Sequence, residues 1–264
     1  MRWVLALLIA ALTGLWALNL LVGGGSRPRV LAPEEIRDPL SPSPWVLWEN
    51  PSGRLTLWRI PPGESWRSNP ASHEAVLALR GQGHATFPQG DLRLDAEELL
   101  ILFQGTQAEI RPSGDRTLLL LVFSTPPPSV TRDEPPISGG LFPLRIALDV
   151  RFTQPLRSLK AGTDVEAEAG EGESIEGSPV FESPTGSVWL LRLRGTGSLR
   201  PAEGDVALYV MRGGLRLGTN RFGSEVTVEP GGLTLLSAAR PIRLRAAASE
   251  VWLVGFWSPP APLE

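Results

Sequence analysis

Apolar positions along this chain form one long run at the start and many short runs after it. Between Trp3 and Val22 only Thr13, Gly14 and Asn19 interrupt the long run, and about 20 apolar residues at ~1.5 Å each span a bilayer core of roughly 30 Å. The pattern predicts a single-pass transmembrane anchor over residues 1–25. A cleaved signal peptide is the competing reading. Its apolar region, however, is only about 7–15 residues and ends in a small-x-small site, which Asn19-Leu20-Leu21-Val22-Gly23-Gly24-Gly25-Ser26 does not offer. Arg2 lies on one side of the run and Arg27, Arg29 and Arg37 on the other. Counted alone, those charges favour a cytoplasmic body. An anchor at the extreme N-terminus followed by a large domain leads export, so the body is expected to be extracytoplasmic. Residues 26–44 hold Pro28, Pro33, Pro39, Pro42 and Pro44 among charges, which favours an extended stalk.

The short runs of the body either alternate or are continuous, and Pro and Gly bound them. Leu92-Arg93-Leu94, Leu99 to Phe103, Leu118 to Phe123, Leu215-Arg216-Leu217, Val226-Thr227-Val228 and Val251 to Val254 therefore predict strands of an all-β sandwich or barrel. Nothing in the body has a helical period. The runs also repeat. Pro51-Ser52-Gly53 with Leu55 to Ile60 answers to Pro184-Thr185-Gly186 with Val188 to Leu193, Arg80-Gly81 to Arg212-Gly213, and Leu99 to Phe103 to Leu233 to Ser237, at shifts of 132 to 134 positions. Such an internal duplication constrains the fold before any motif does. It divides the body into units at 45–128 and 178–264, joined by a linker, 129–177, with an expected strand from Leu144 to Phe152 and an acidic loop from Asp164 to Glu173.

Composition narrows the function classes. With 264 residues, 28 Gly and 26 Pro, two small strand-rich domains fit. The net charge is −3 and no block of Lys or Arg occurs, so nucleic acid is not an expected partner. The absence of Cys removes disulfides, thiolate catalysis and thiolate metal sites.

The stretch His73-Glu74-Ala75-Val76-Leu77-Ala78-Leu79-Arg80-Gly81 and its echo Asp205 to Gly213 carry a resemblance to the cupin superfamily. The family's first signature runs from a Gly through paired histidines to a Glu, with a second Gly seven residues after it. Gly63, Glu74 and Gly81 match that pattern; the paired histidines fall near Trp66-Arg67-Ser68-Asn69-Pro70 and are missing. At the histidine of the second signature stands Ala108, and in the second unit Val206 and Ile242 take the Glu and His positions. The resemblance implies two tandem cupin-like barrels (double-stranded β-helix, or jelly roll), a bicupin with degenerate metal motifs.

A catalytic metal needs several converging N/O ligands. His73 and Glu74 are the weak candidates, yet adjacent strand residues point to opposite faces. The expectation is no cofactor and no catalytic residue: a non-catalytic, membrane-anchored binding or scaffolding module, accessory to a membrane or envelope assembly with a protein partner. Two alternatives stand beside it. A sugar- or anion-binding sensor would use Arg59, Glu74 and Arg80, or Arg192, Arg212 and Arg243, at a barrel mouth, because guanidinium suits carboxylate and sulfate. A metal enzyme would need His73 and Glu74 to converge with Gln104 or Gln107. Trp45, Trp48 and Trp66, next to Pro and polar residues, are the candidates for an exposed partner surface.

Overall fold

In the computed structural model, the residues described are 28–38, 43–126, 144–148, 157–158, 165–169, 174–183, 185–201, 204–218, 225–237 and 242–258. The expected anchor from Trp3 to Val22 lies outside them; among the described residues no helix is long and apolar enough to cross a membrane. The body is built of strands, as its short apolar runs predict. A six-stranded antiparallel sheet orders Leu144–Ala147, Glu98–Leu102, His73–Arg80, Leu118–Thr125, Gly53–Ile60 and Trp45–Asn50. A seven-stranded sheet orders Arg29–Leu31, Leu233–Ser237, Asp205–Arg212, Val251–Ser258, Gly186–Arg194, Ser174–Ser183 and Arg157–Ser158. The central strands of the two sheets correspond one to one under the repeat read from the sequence.

Side chains alternate across each strand, so each large sheet has two apolar faces. One face of the six-stranded sheet (Val76, Leu100, Leu120, Val122) packs on a four-stranded sheet through Trp66, Ala85, Leu94 and Ile110. One face of the seven-stranded sheet (Val206, Leu208, Leu191, Leu253) packs likewise on a five-stranded sheet through Leu199, Leu215, Leu217 and Leu244. The remaining faces meet each other over a third core that includes Leu55, Leu77, Phe123, Leu190, Tyr209 and Phe256. The result is four layers, with Phe123 and Phe256 in edge contact at 5.8 Å in the middle.

The repeated Arg-Gly pair has a backbone cause. Gly81 and Gly213 take φ of +86° and +71°, and a Cβ there would stand 2.7 Å from Thr117 O and 2.4 Å from Glu250 O. Both requirements exclude a side chain at the turn.

Two sequence expectations are corrected. The stalk is in part folded: Arg29–Leu31 pairs with Leu233 to Leu235 at the edge of the second unit's sheet, and Pro33–Arg37 forms a short helix with Ile36 buried. Pro33 at the first turn lacks only a donor that has no intrahelical partner anyway, and Glu35 accepts the Ala32 N–H at 2.8 Å, so the prolines read as spacer residues punctuate these elements. The acidic loop is in part a strand. Val165–Ala169 pairs with Gly197 to Pro201, in keeping with the alternation of Val165, Ala167 and Ala169 with glutamates, which the density of acidic residues masked. Leu144–Ala147, within the expected Leu144 to Phe152 strand, joins the edge of the first unit's sheet.

A polar lock holds the units together at one end. Asn50 Oδ1 accepts the N–H groups of Ser52 and Gly53, both at 2.9 Å, and the Ser258 hydroxyl at 2.9 Å, while its Nδ2 donates to Asp205 at 2.8 Å. Asn50→Ala is expected to cost about 1–3 kcal/mol, because it strands several part-buried partners at once. An unchanged urea midpoint would show that these bonds add nothing.

Candidate functional site

Glu74 is the one buried carboxylate among the described residues, 5% exposed. It follows His73 at the start of its strand, on the face that carries Val76, with Leu102 and Ser124 as cross-strand neighbours. Its Oε2 accepts the Asn69 N–H at 3.0 Å and its Oε1 the Ser124 hydroxyl at 3.1 Å. Burial raises the carboxyl to about 7, and these two bonds oppose the shift without cancelling it. The Asn69 loop is tied in turn to the facing turn: Ser68 Oγ accepts the Ala108 N–H at 2.8 Å, and Pro70 O accepts the Gly105 N–H at 2.8 Å.

His73 lies on the other face, as strand alternation requires. Its Nδ1 accepts the Gln104 N–H at 3.2 Å, and its ring packs 6.2 Å from Phe103 and 5.5 Å from Phe181 of the second unit. Burial lowers its pKa. Gln104 and Gln107 are exposed. The sheet thus separates the two weak metal candidates.

The second interior is filled rather than polar. Val206 takes the place of Glu74, and Trp257 the place of Ser124; the two are cross-strand partners. The Trp257 ring folds over Gly255, where a Cβ would stand 1.9 Å from Cζ3, and meets Trp189 edge-on at 6.4 Å.

The arginines do not gather at the Glu74 mouth. Arg59 and Arg80 both pair with Leu119, and Arg192 and Arg212 both pair with Trp252, so the repeat in sequence is a repeated row in space. That row sits at the strand ends away from Glu74, about 20 Å along the strand at ~3.3 Å per residue, on the face turned toward the third core. Arg59 is 3.2 Å from Asp38, Arg192 pairs with Glu176, Arg212 stacks over Trp252 at 5.2 Å, and Arg243 is exposed on the outer five-stranded sheet. Ser124 and Asn69, which do reach Glu74, were missed. The Phe123-Ser124-Thr125 segment carries a signal only once it is aligned with Phe256-Trp257-Ser258.

The expected tryptophan surface is also corrected. Trp66 is 2% exposed in the first interior, because the two-residue strand Trp66–Arg67 pairs with Ile110 and Glu109 and turns Trp66 in and Arg67 out. Trp48 packs 5.7 Å from Phe123. Trp45 is half-buried on the third core beneath the Arg29 guanidinium at 5.4 Å. Neighbouring Pro and polar residues suggested exposure, but an edge strand still has an inward face.

Layered antiparallel sheets of this order, with the Glu74 strand at the centre of one of them, are the fold of cupin-domain proteins. Among solved structures, the chain is similar to a cupin 2 conserved barrel domain protein from Leptotrichia buccalis, with TM-score 0.61 and 13% identity over 89% of this chain and 97% of that one. It is similar also to a salicylate 1,2-dioxygenase from Pseudaminobacter salicylatoxidans, with TM-score 0.60 and 12% identity over 89% of this chain and 85% of that one. A protein of unknown function from Pseudomonas syringae pv. tomato gives TM-score 0.58 and 15% identity over 85% and 90% of the two chains. No family model matches the sequence, and no curated protein matches it. At such identities the likeness is one of fold. The metal that the family resemblance implies does not fit this donor set: Ala108 and Val206 stand at ligand positions with buried apolar side chains, and among the described residues no three His, Asp or Glu side chains converge.

Proposed function

We propose that the chain is a bicupin, two tandem cupin-like barrels after a single-pass N-terminal anchor, acting as a non-catalytic binding or scaffolding module for a protein partner in a membrane or envelope assembly. The observation that carries this reading is the filling of the second interior by Trp257 and Trp189 over Gly255. A site kept for a small ligand keeps room and converging polar groups; here aromatic rings occupy the space. The extensive third core supports the scaffold role, since it joins the units into one rigid surface. The sensor alternative loses the shared pocket it needs, because Arg59 and Arg192 are each engaged by a carboxylate. Native mass spectrometry of the full-length protein, extracted from its own membranes in mild detergent, tests the reading. The expected result is added mass equal to a further polypeptide. Stoichiometric metal on a lone chain, lost in His73→Ala, would replace the scaffold with a metal enzyme.

A further inference from the structure

We propose that the end of the molecule carrying Glu74 faces a lipid bilayer surface, with the end carrying Arg80 and Arg212 pointing away from it. This rests on the anchor reading above and adds the direction in which the body is held.

The direction follows from register. Arg29 pairs with Leu235 and Leu31 with Leu233, while Ser237, further along the same strand, pairs with Asp205, which also pairs with Ser258. The chain therefore enters the fold from the Asp205–Ser258 end and runs toward the opposite end, where Asp38 meets Arg59. Asn50 ties that entry end to the first unit by bonding both Asp205 and Ser258. Next to Asn50, Arg54 pairs with Ser124, which bonds Glu74. Entry point and Glu74 thus share one end of the body. Only residues 23–28 separate Val22 from Arg29, and a fully extended chain of that length reaches at most about 25 Å at ~3.3–3.6 Å per residue. Because Arg29 is fixed in a ladder and stacks over Trp45, this end of the body lies within that reach of Val22.

Three turns, Asn69-Pro70-Ala71, Pro88-Gln89-Gly90 and Gln104-Gly105-Thr106-Gln107, lie at the Glu74 end. The second of these belongs here because Thr86 pairs with Glu109, whose neighbour Ala108 accepts the Ser68 N–H. Glu64 and Asp115 lie on exposed turns at the other end, with Arg116.

The chain has no cysteine, which makes single-cysteine labelling unambiguous. Full-length Gln89→Cys and Gln104→Cys variants report on the Glu74 end, and Glu64→Cys and Asp115→Cys on the other. Each is labelled with a fluorophore and reconstituted into phosphatidylcholine vesicles with and without a headgroup-nitroxide lipid. The expected result is quenching at 89 and 104 several-fold greater than at 64 and 115. Equal quenching, or greater quenching at 64 and 115, overturns the orientation while leaving the anchor reading in place. Folded full-length protein that fails to float with the vesicles overturns both.

Discussion

Trp257→Ala is expected to lower the free energy of unfolding by about 3–5 kcal/mol, the range for truncating a large buried aromatic side chain. Trp257 is 5% exposed within the second interior. Its ring occupies space that Gly255 leaves open, with Trp189 against its edge, so no neighbouring side chain stands ready to fill the cavity. Partial relaxation is what softens such losses, and a glycine floor supplies little of it. The indole N–H is buried without an acceptor. Trp257→Phe therefore removes an unpaired donor, worth about 1–3 kcal/mol of desolvation, together with part of the ring, and is expected to lose less than half as much as Trp257→Ala. Urea denaturation followed by far-UV circular dichroism reads both. A loss below about 1 kcal/mol for Trp257→Ala would mean that the ring does not fill the interior.

Stability is expected to fall by about 3 kcal/mol as pH rises from about 4.5 to about 7, at 1.36 kcal/mol per pKa unit, through the single carboxyl of Glu74, which burial raises from 4.5 to about 7. Between those values the folded protein binds a proton that the unfolded chain has released. The contribution is fully present below about 4.5 and is lost as pH passes the folded pKa. Glu74→Gln keeps an acceptor oxygen for the Asn69 N–H, can donate its amide N–H to the Ser124 hydroxyl oxygen and has no charge to bury, so at pH 8 it is expected to be more stable than wild type by a similar amount. His73, lowered by burial, contributes in the opposite direction: its folded form gives up a proton more readily, so its part rises with pH below 6.5. It is common to both proteins, and the difference between them isolates Glu74. Half-buried Glu109, held at about 2 by hydrogen bonds from Ser65, Arg111 and Arg67, loses its contribution only as pH falls below about 4.5, outside this window. Parallel pH profiles for wild type and Glu74→Gln would show that the carboxyl is solvated in the folded state.

Much of the fold was legible because its determinants are local. Leu118 to Phe123 and Val251 to Val254 are continuous apolar runs because both faces of their strands are buried, one in an interior and one in the third core. The echo of Arg80-Gly81 in Arg212-Gly213 was legible because a turn geometry demands it. What the sequence pattern did not disclose depends on which strands become neighbours. Arg59, Glu74 and Arg80 are close along the chain, yet the register shift that pairs Leu119 with Arg80 and Leu120 with Ala78, and the length of the strand, put the arginines on another face at another end. Trp66 and Trp48 look exposed beside Glu64 and Glu49 until pairing assigns each an inward face. Ser124 becomes a partner of Glu74 only through a register that no local pattern contains. The separation of His73 from Glu74 needed nothing more than the two-residue period, and it is what the structure contains.

The strand Arg29–Leu31 has a schedule imposed on it by its partner. It is made early, but the edge it completes, Leu233–Ser237, emerges about 200 residues later, a delay of roughly 10–40 s at ~5–20 residues per second. Throughout that interval the first unit has no second unit to cover Leu55, Leu77 and Phe123. A nascent chain in that state exposes a sheet face and an unclaimed strand side by side, the arrangement most open to wrong pairing. Ribosome-bound chains halted before residue 233 are therefore the form in which this protein would most need a chaperone.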